Sequence, residues 1–147
     1  MYNFRKSKAG FTLIELMVVV AIIGVLALLG LRMYSGQQAK AKNAIIKANA
    51  GTIQTLIQAE LADASVASVS AMWKDPAADS LITRSGIHNP VTGLLQATAE
   101  TAIGTAVGKA GLVWVTVPST DTDPYIINGN DVTGLANVYN TSLQARK

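Results

Sequence analysis

The sequence predicts an α+β protein in which one long N-terminal helix, from about residue 11 to 66, carries a small antiparallel sheet on its C-terminal half. Three observations lead to it. Residues 11–31 are apolar on every face, the residues after them turn amphipathic with no proline before Pro76, and from Lys74 onward turn dipeptides and short alternating runs replace the helical pattern. At 147 residues the chain is long enough for one modest soluble core. Half of the residues are hydrophobic and only 14% are charged, a balance too apolar for an ordinary soluble domain unless one segment holds the excess. There is no cysteine, which excludes a disulfide framework, a zinc-thiolate site and a cysteine nucleophile.

The opening ten residues carry the charge. Arg5, Lys6 and Lys8 account for the whole formal charge of +3, since removing those three leaves nine basic side chains against nine acidic ones. With that, the electrostatic case for nucleic-acid binding disappears, and no nucleic acid is expected as a partner. Residues 11–31 follow, FTLIELMVVVAIIGVLALLGL, interrupted by a single charge at Glu15. As a helix this run is roughly 30 Å long, the thickness of a bilayer's hydrocarbon core. Beyond it, Arg32, Lys40, Lys42 and Lys47 form a basic collar with no acidic side chain between Glu15 and Glu60. Both flanks are thus positive; the short N-terminal flank is read as cytoplasmic because the long polar remainder is the part that must be translocated.

A secretory signal also has a basic start and an apolar centre, but its cleavage site follows the apolar run. Here the small-residue junction Lys8-Ala9-Gly10-Phe11 precedes it, so cutting there would remove the charges and keep the helix. Gly10-Phe11-Thr12-Leu13-Ile14-Glu15 resembles the class III signal of type IV prepilins and pseudopilins, a likeness that covers about the first 45 residues, through Tyr34 and Asn43. Many similar pilins carry a proline where this chain has Arg32. The resemblance implies a type IV pilin-like fold, with residues 1–10 as leader peptide, 11–31 as transmembrane and filament-core helix, 32–70 as its amphipathic continuation and 71–147 as a β-rich head. It implies cleavage between Gly10 and Phe11 by a prepilin peptidase and methylation of the new Phe11 amine. It further implies copies of the chain in a helical filament, an inner-membrane assembly platform driven by an ATPase, storage in the bacterial cytoplasmic membrane and then a place on the cell surface. The role it implies for Glu15 is to neutralise the Phe11 amine of a neighbouring subunit, an alignment device in an apolar core where an unpaired charge is expensive.

The continuation of the helix has its apolar residues at Ile46, Ile53, Leu56, Ile57, Leu61 and Ala64, with Lys42, Lys47, Gln54, Gln58 and Asp63 on other faces, and a single helix reaching Ala64 or Ser70 is expected. In the head, residues 111–117 and 124–128 read as strands joined by a loop at 118–123. Asn128-Gly129 and Asn130-Asp131 read as a turn, residues 135–144 as a third strand or a short helix, and 94–107 are ambiguous.

Other signals carry less. His88 stands alone in a turn-rich stretch and is assigned an exposed or capping role. No cofactor is expected; Asp121, Asp123 and Asp131 are weak calcium candidates whose spacing is not that of an EF-hand and which turn formation also explains. Trp73 and Trp114 are assigned to packing between sheet and helix. Serines and threonines are abundant, but nothing activates one as a nucleophile, so an enzyme is not expected. The reading is a structural subunit of an extracellular filament. Its alternatives are a pseudopilin of a secretion or DNA-uptake system, and a single-span membrane protein with an external binding domain that never assembles.

Overall fold

The computed structural model describes residues 10–74, 81–96, 109–118, 120 and 122–144. Helix α1 runs Leu13–Asp63, α2 Val66–Lys74 and α3 Leu81–Ser85; strands β1 Val113–Thr116, β2 Tyr125–Asn130 and β3 Asn137–Leu143 follow. The chain divides into two compact units, Met1–Gln38 and Ala39–Lys147. In the first unit every described residue is exposed. Apart from Gly10, the expected leader lies outside the described residues.

In the second unit the last half of α1 packs against the sheet, the arrangement expected from the sequence. Ile46, Ala50, Ile53 and Ile57 recur at helical spacing and are fully buried. They join Val113 and Val115 of β1 and Tyr125 and Ile127 of β2 in one core, with Leu61, Ala64, Tyr139 and Leu143 packed against it. The sheet is an antiparallel meander in the order β1-β2-β3. Pairing of Val113 with Gly129, Val115 with Ile127 and Gly129 with Tyr139 puts these side chains on the face toward the helix. Trp114, paired with Asn128, therefore lies on the opposite face, half-buried, its indole N–H directed at Asn130 Oδ1 at 3.4 Å. Of the two tryptophans assigned to helix–sheet packing, only Trp73 is in the core.

Two boundaries differ from expectation for local reasons. The long helix ends at Asp63, one residue from the nearer expected end at Ala64 and short of the farther one at Ser70, because Ser65 starts a new helix: its hydroxyl accepts from the Ser68 N–H at 3.3 Å, an N-cap. Helix α2 then buries Val66, Val69, Ser70 and Trp73, the i, i+3, i+4, i+7 stripe of an independent amphipathic helix. Tyr125 fastens it to the sheet, donating from its hydroxyl to the Val66 carbonyl at 3.0 Å and lying 3.0 Å from the Ser70 hydroxyl.

The second difference is the turn expected at 128–131. Strand β2 continues through Asn130, and the reversal falls at 131–136 instead. Gly129 is a strand residue because a Cβ there would stand 2.8 Å from Ile46 Cγ2, so glycine lets the strand approach α1. Asn128 and Asn130 are buried and bonded: Asn128 Oδ1 accepts from Asn140 Nδ2, and Asn130 Nδ2 donates to the Lys109 carbonyl at 3.1 Å. Of residues 135–144, expected as a strand or a short helix, Asn137–Leu143 form strand β3. Much of the ambiguous stretch 94–107 lies outside the described residues. Its described end is informative, because the buried Gln96 amide donates to the Val113 carbonyl and accepts from the Val113 N–H at 3.2 Å, occupying the outer edge of β1.

Candidate functional site

The start of α1 is a capping box. Thr12 is the residue before the first helical position and Glu15 the third residue of the helix. The Thr12 N–H donates to Glu15 Oε2 at 2.9 Å and the Thr12 hydroxyl donates to the same oxygen at 2.7 Å. In return the Glu15 N–H donates to Thr12 Oγ1 at 3.3 Å. Two otherwise orphan backbone donors of the first turn are satisfied reciprocally, and the carboxylate is held at the positive end of the helix dipole.

Both bonds to the carboxylate fall on Oε2, and no described residue donates to Oε1. The group is fixed in position with acceptor capacity to spare. Its surroundings are apolar: Phe11, Ile14, Val18 and Val19 line a shallow groove with Glu15. Phe11 is 84% exposed and Ile14 70%, so no described residue covers the carboxylate or the aromatic ring beside it. What the arrangement offers chemically is one anion in a fixed orientation at the end of an apolar rod, a receptor for one cation. Gly10, Phe11 and Glu15, singled out in the sequence, are neighbours here simply through the chain and one helical turn. Thr12 was not singled out; the T-x-x-E spacing immediately before an apolar run is the signal that identifies it.

The remaining candidates have local occupations. Asp131 supports the β2–β3 turn, its carboxylate accepting from the Thr133 hydroxyl at 2.7 Å, the Thr133 N–H at 3.0 Å and the Leu135 N–H at 3.2 Å. The Thr133 hydroxyl, opposed by slight desolvation and aided by the backbone donors, holds its carboxyl below the usual carboxylate value. The Asp123 carboxylate accepts from the Thr120 N–H at 3.2 Å, and Asp121 lies outside the described residues. Among the described residues no three acidic, histidine or cysteine side chains gather as a metal site would require. His88 is exposed, its ring Nδ1 3.0 Å from the Gly86 carbonyl. The neighbouring turn is structural: Asn89 Oδ1 accepts from the Val91 N–H at 2.8 Å while its Nδ2 donates to the Ala110 carbonyl at 2.9 Å. Gly111 sits beneath it with φ +73, and a Cβ there would stand 2.5 Å from Asn89 Oδ1.

Comparison with known proteins bears on the first helix. Residues 5–31 match the family described as the prokaryotic N-terminal methylation motif. The chain is 38% identical to the fimbrial protein EcpB of Eikenella corrodens over 76 residues, 52% of this chain and 45% of that protein. It is 39% identical to a type IV major fimbrial protein FimA of Dichelobacter nodosus over 59 residues, 40% of this chain and 38% of that one. A second FimA from the same organism is 41% identical over 59 residues, 40% of this chain and 37% of that protein. The chain thus matches less than half the length of these curated relatives. No solved structure matches it significantly.

Proposed function

We propose that this chain is a structural subunit of a type IV pilus-like extracellular filament, a reading supported by the N-terminal methylation motif at residues 5–31 and by the likeness to fimbrial proteins. The observation that carries the proposal is the state of residues 10–38, a long helical segment with every described residue exposed and its only acid held by a capping box. Such a surface is stable in lipid or against copies of itself, and in neither case does it need a second element of its own fold.

On this reading the chain is stored as a single span in the cytoplasmic membrane, and a prepilin peptidase cuts between Gly10 and Phe11. The Phe11 amine is methylated but keeps its positive charge. Assembly is a transfer rather than a reaction. The helix leaves lipid for a core of identical helices, and the amine of an incoming subunit meets the Glu15 carboxylate of one already placed. Because Thr12 already orients Oε2, pairing fixes axial register without reordering that side chain. Motive force, as the family resemblance implies, comes from an ATPase and an assembly platform; the sequence itself has no Gly-Lys-Ser phosphate loop. The pseudopilin alternative shares this physics, and the relatives that the chain matches are fimbrial proteins, which do not favour it.

The test is to express the chain with a prepilin peptidase and assembly machinery, then examine sheared filaments by electron microscopy and immunoblot. Wild type and Gly10→Ala should be trimmed and recovered in filaments, whereas Gly10→Leu should keep its leader and yield none. Equal trimming of Gly10→Leu would contradict the cleavage assignment. A trimmed wild-type chain that stays in the membrane and forms no filament would support the non-assembling alternative.

A further inference from the structure

A second feature of the first unit lies at the other end of the apolar run. Leu28, Leu31, Arg32 and Ser35 line one groove, at spacings of three, four and seven that share a helix face. Leu28 is 72% and Leu31 69% exposed. The Ser35 hydroxyl is turned onto its own helix, donating to the Arg32 carbonyl at 3.0 Å, so the guanidinium is the groove's one charged group. Among the described residues no carboxylate pairs with it. The ion pair seen among the described residues is Arg84 with Glu60, and within this unit the described acid is Glu15, about 25 Å back along the helix and engaged by Thr12.

We propose that this groove binds an anionic phospholipid of the exported-side leaflet, its phosphate on Arg32 and its acyl chain along Leu31 and Leu28. This goes beyond the proposed function and rests on its membrane-stored state. Two arguments favour lipid as the occupant. The groove has the polarity of a lipid, apolar toward the middle of the run and cationic at its edge, and roughly 30 Å of helix from Phe11 brings Arg32 to the level of the headgroups. Tyr34, 66% exposed two residues later, is the residue type that settles at that boundary. A guanidinium matches phosphate oxygens with two parallel N–H donors, and an anionic headgroup such as phosphatidylglycerol brings no cation of its own to compete. Lys40, Lys42 and Lys47 continue the positive sequence without an intervening acid.

The experiment uses the full chain in nanodiscs of equal phosphatidylglycerol and phosphatidylcholine, with native mass spectrometry of the lipids it retains on release. Wild type should retain phosphatidylglycerol over phosphatidylcholine by about fivefold, the effect of one basic residue near a charged surface. Arg32→Gln should bring the ratio close to one, Arg32→Lys should keep part of the preference, and Lys109→Gln should leave it unchanged. Equal retention by wild type, or a preference that survives Arg32→Gln, overturns the proposal. So does loss of filaments by Arg32→Gln with an unaltered lipid ratio, which would assign the arginine to contacts between copies. Alkaline carbonate extraction separates the two readings: a chain washed from membranes removes the storage step itself, whereas a chain that stays inserted with no lipid preference removes only the lipid site.

Discussion

Residues 13–38 and 39–63 belong to one helix, yet the first stretch has no buried residue and the second has a fully buried stripe at Ile46, Ala50, Ile53 and Ile57. The difference is not one of helix-forming tendency, since both halves are long, proline-free and interrupted by glycine. It is one of who supplies the cover. The head completes its own core, so the second half is satisfied by folding. Within the first half, residues 13–31 are apolar all round apart from Glu15, and on the proposed reading a bilayer or other copies supply their cover. On that reading, a single element is thereby divided into a part that answers to stability and a part that answers to assembly.

The largest effect that would sharpen this division is at Glu15. A Glu15→Ala chain should be trimmed normally and its head should melt as wild type does. Its filaments, counted after shearing, should fall steeply, because removing one partner of a buried ion pair costs on the order of 3 kcal/mol per contact. Wild-type filament yield would break the account of this residue.

Next in size is the core stripe. Ile53→Ala should lower the stability of the head by about 3 kcal/mol, read by chemical denaturation, while leaving leader cleavage intact. Leu29→Ala, at an exposed position of the first half, should leave the head's unfolding curve where it was. If Leu29→Ala destabilised the head as much as Ile53→Ala, the two halves would not be separate in the way described.

The smallest effect is one of pH and belongs to the head alone. The native Asp131 carboxyl is held below its ordinary value of 3.8 by the Thr133 hydroxyl and backbone donors. The stability it contributes is therefore present above that value and lost as pH falls through the lower native one. Melting curves from pH 6 down to about pH 2 should show wild type losing more stability than Asp131→Asn over the acidic part of the range. Parallel curves would show that the turn does not depend on the ionised carboxylate.

What the sequence disclosed follows the same division. The exposed half was legible because its environment is uniform: an apolar run with a basic, glycine-ended prefix needs no knowledge of tertiary contacts to interpret. The buried stripe was legible for a related reason, since helical spacing of isoleucines survives any particular packing. Positions whose meaning is set by a distant neighbour were misread. Asn128-Gly129 has the composition of a turn, but Ile46 lies over the glycine and Lys109 and Asn140 use the asparagines, so the pair is strand. Ser65 has a local signal, a serine before a new i, i+3, i+7 apolar pattern, that the unbroken stretch up to Lys74 concealed. At the candidate site Glu15 was visible as a charge in an apolar run, whereas Thr12 stood in plain sequence at capping-box spacing and was passed over.

The measurement closest to the central claim is the intact mass of the protein extracted from membranes of cells that contain a prepilin peptidase. The account predicts a chain that begins at Phe11, lacks Met1 through Gly10 and carries one added methyl group. A full-length, unmethylated mass in cells whose other prepilins are trimmed would contradict it.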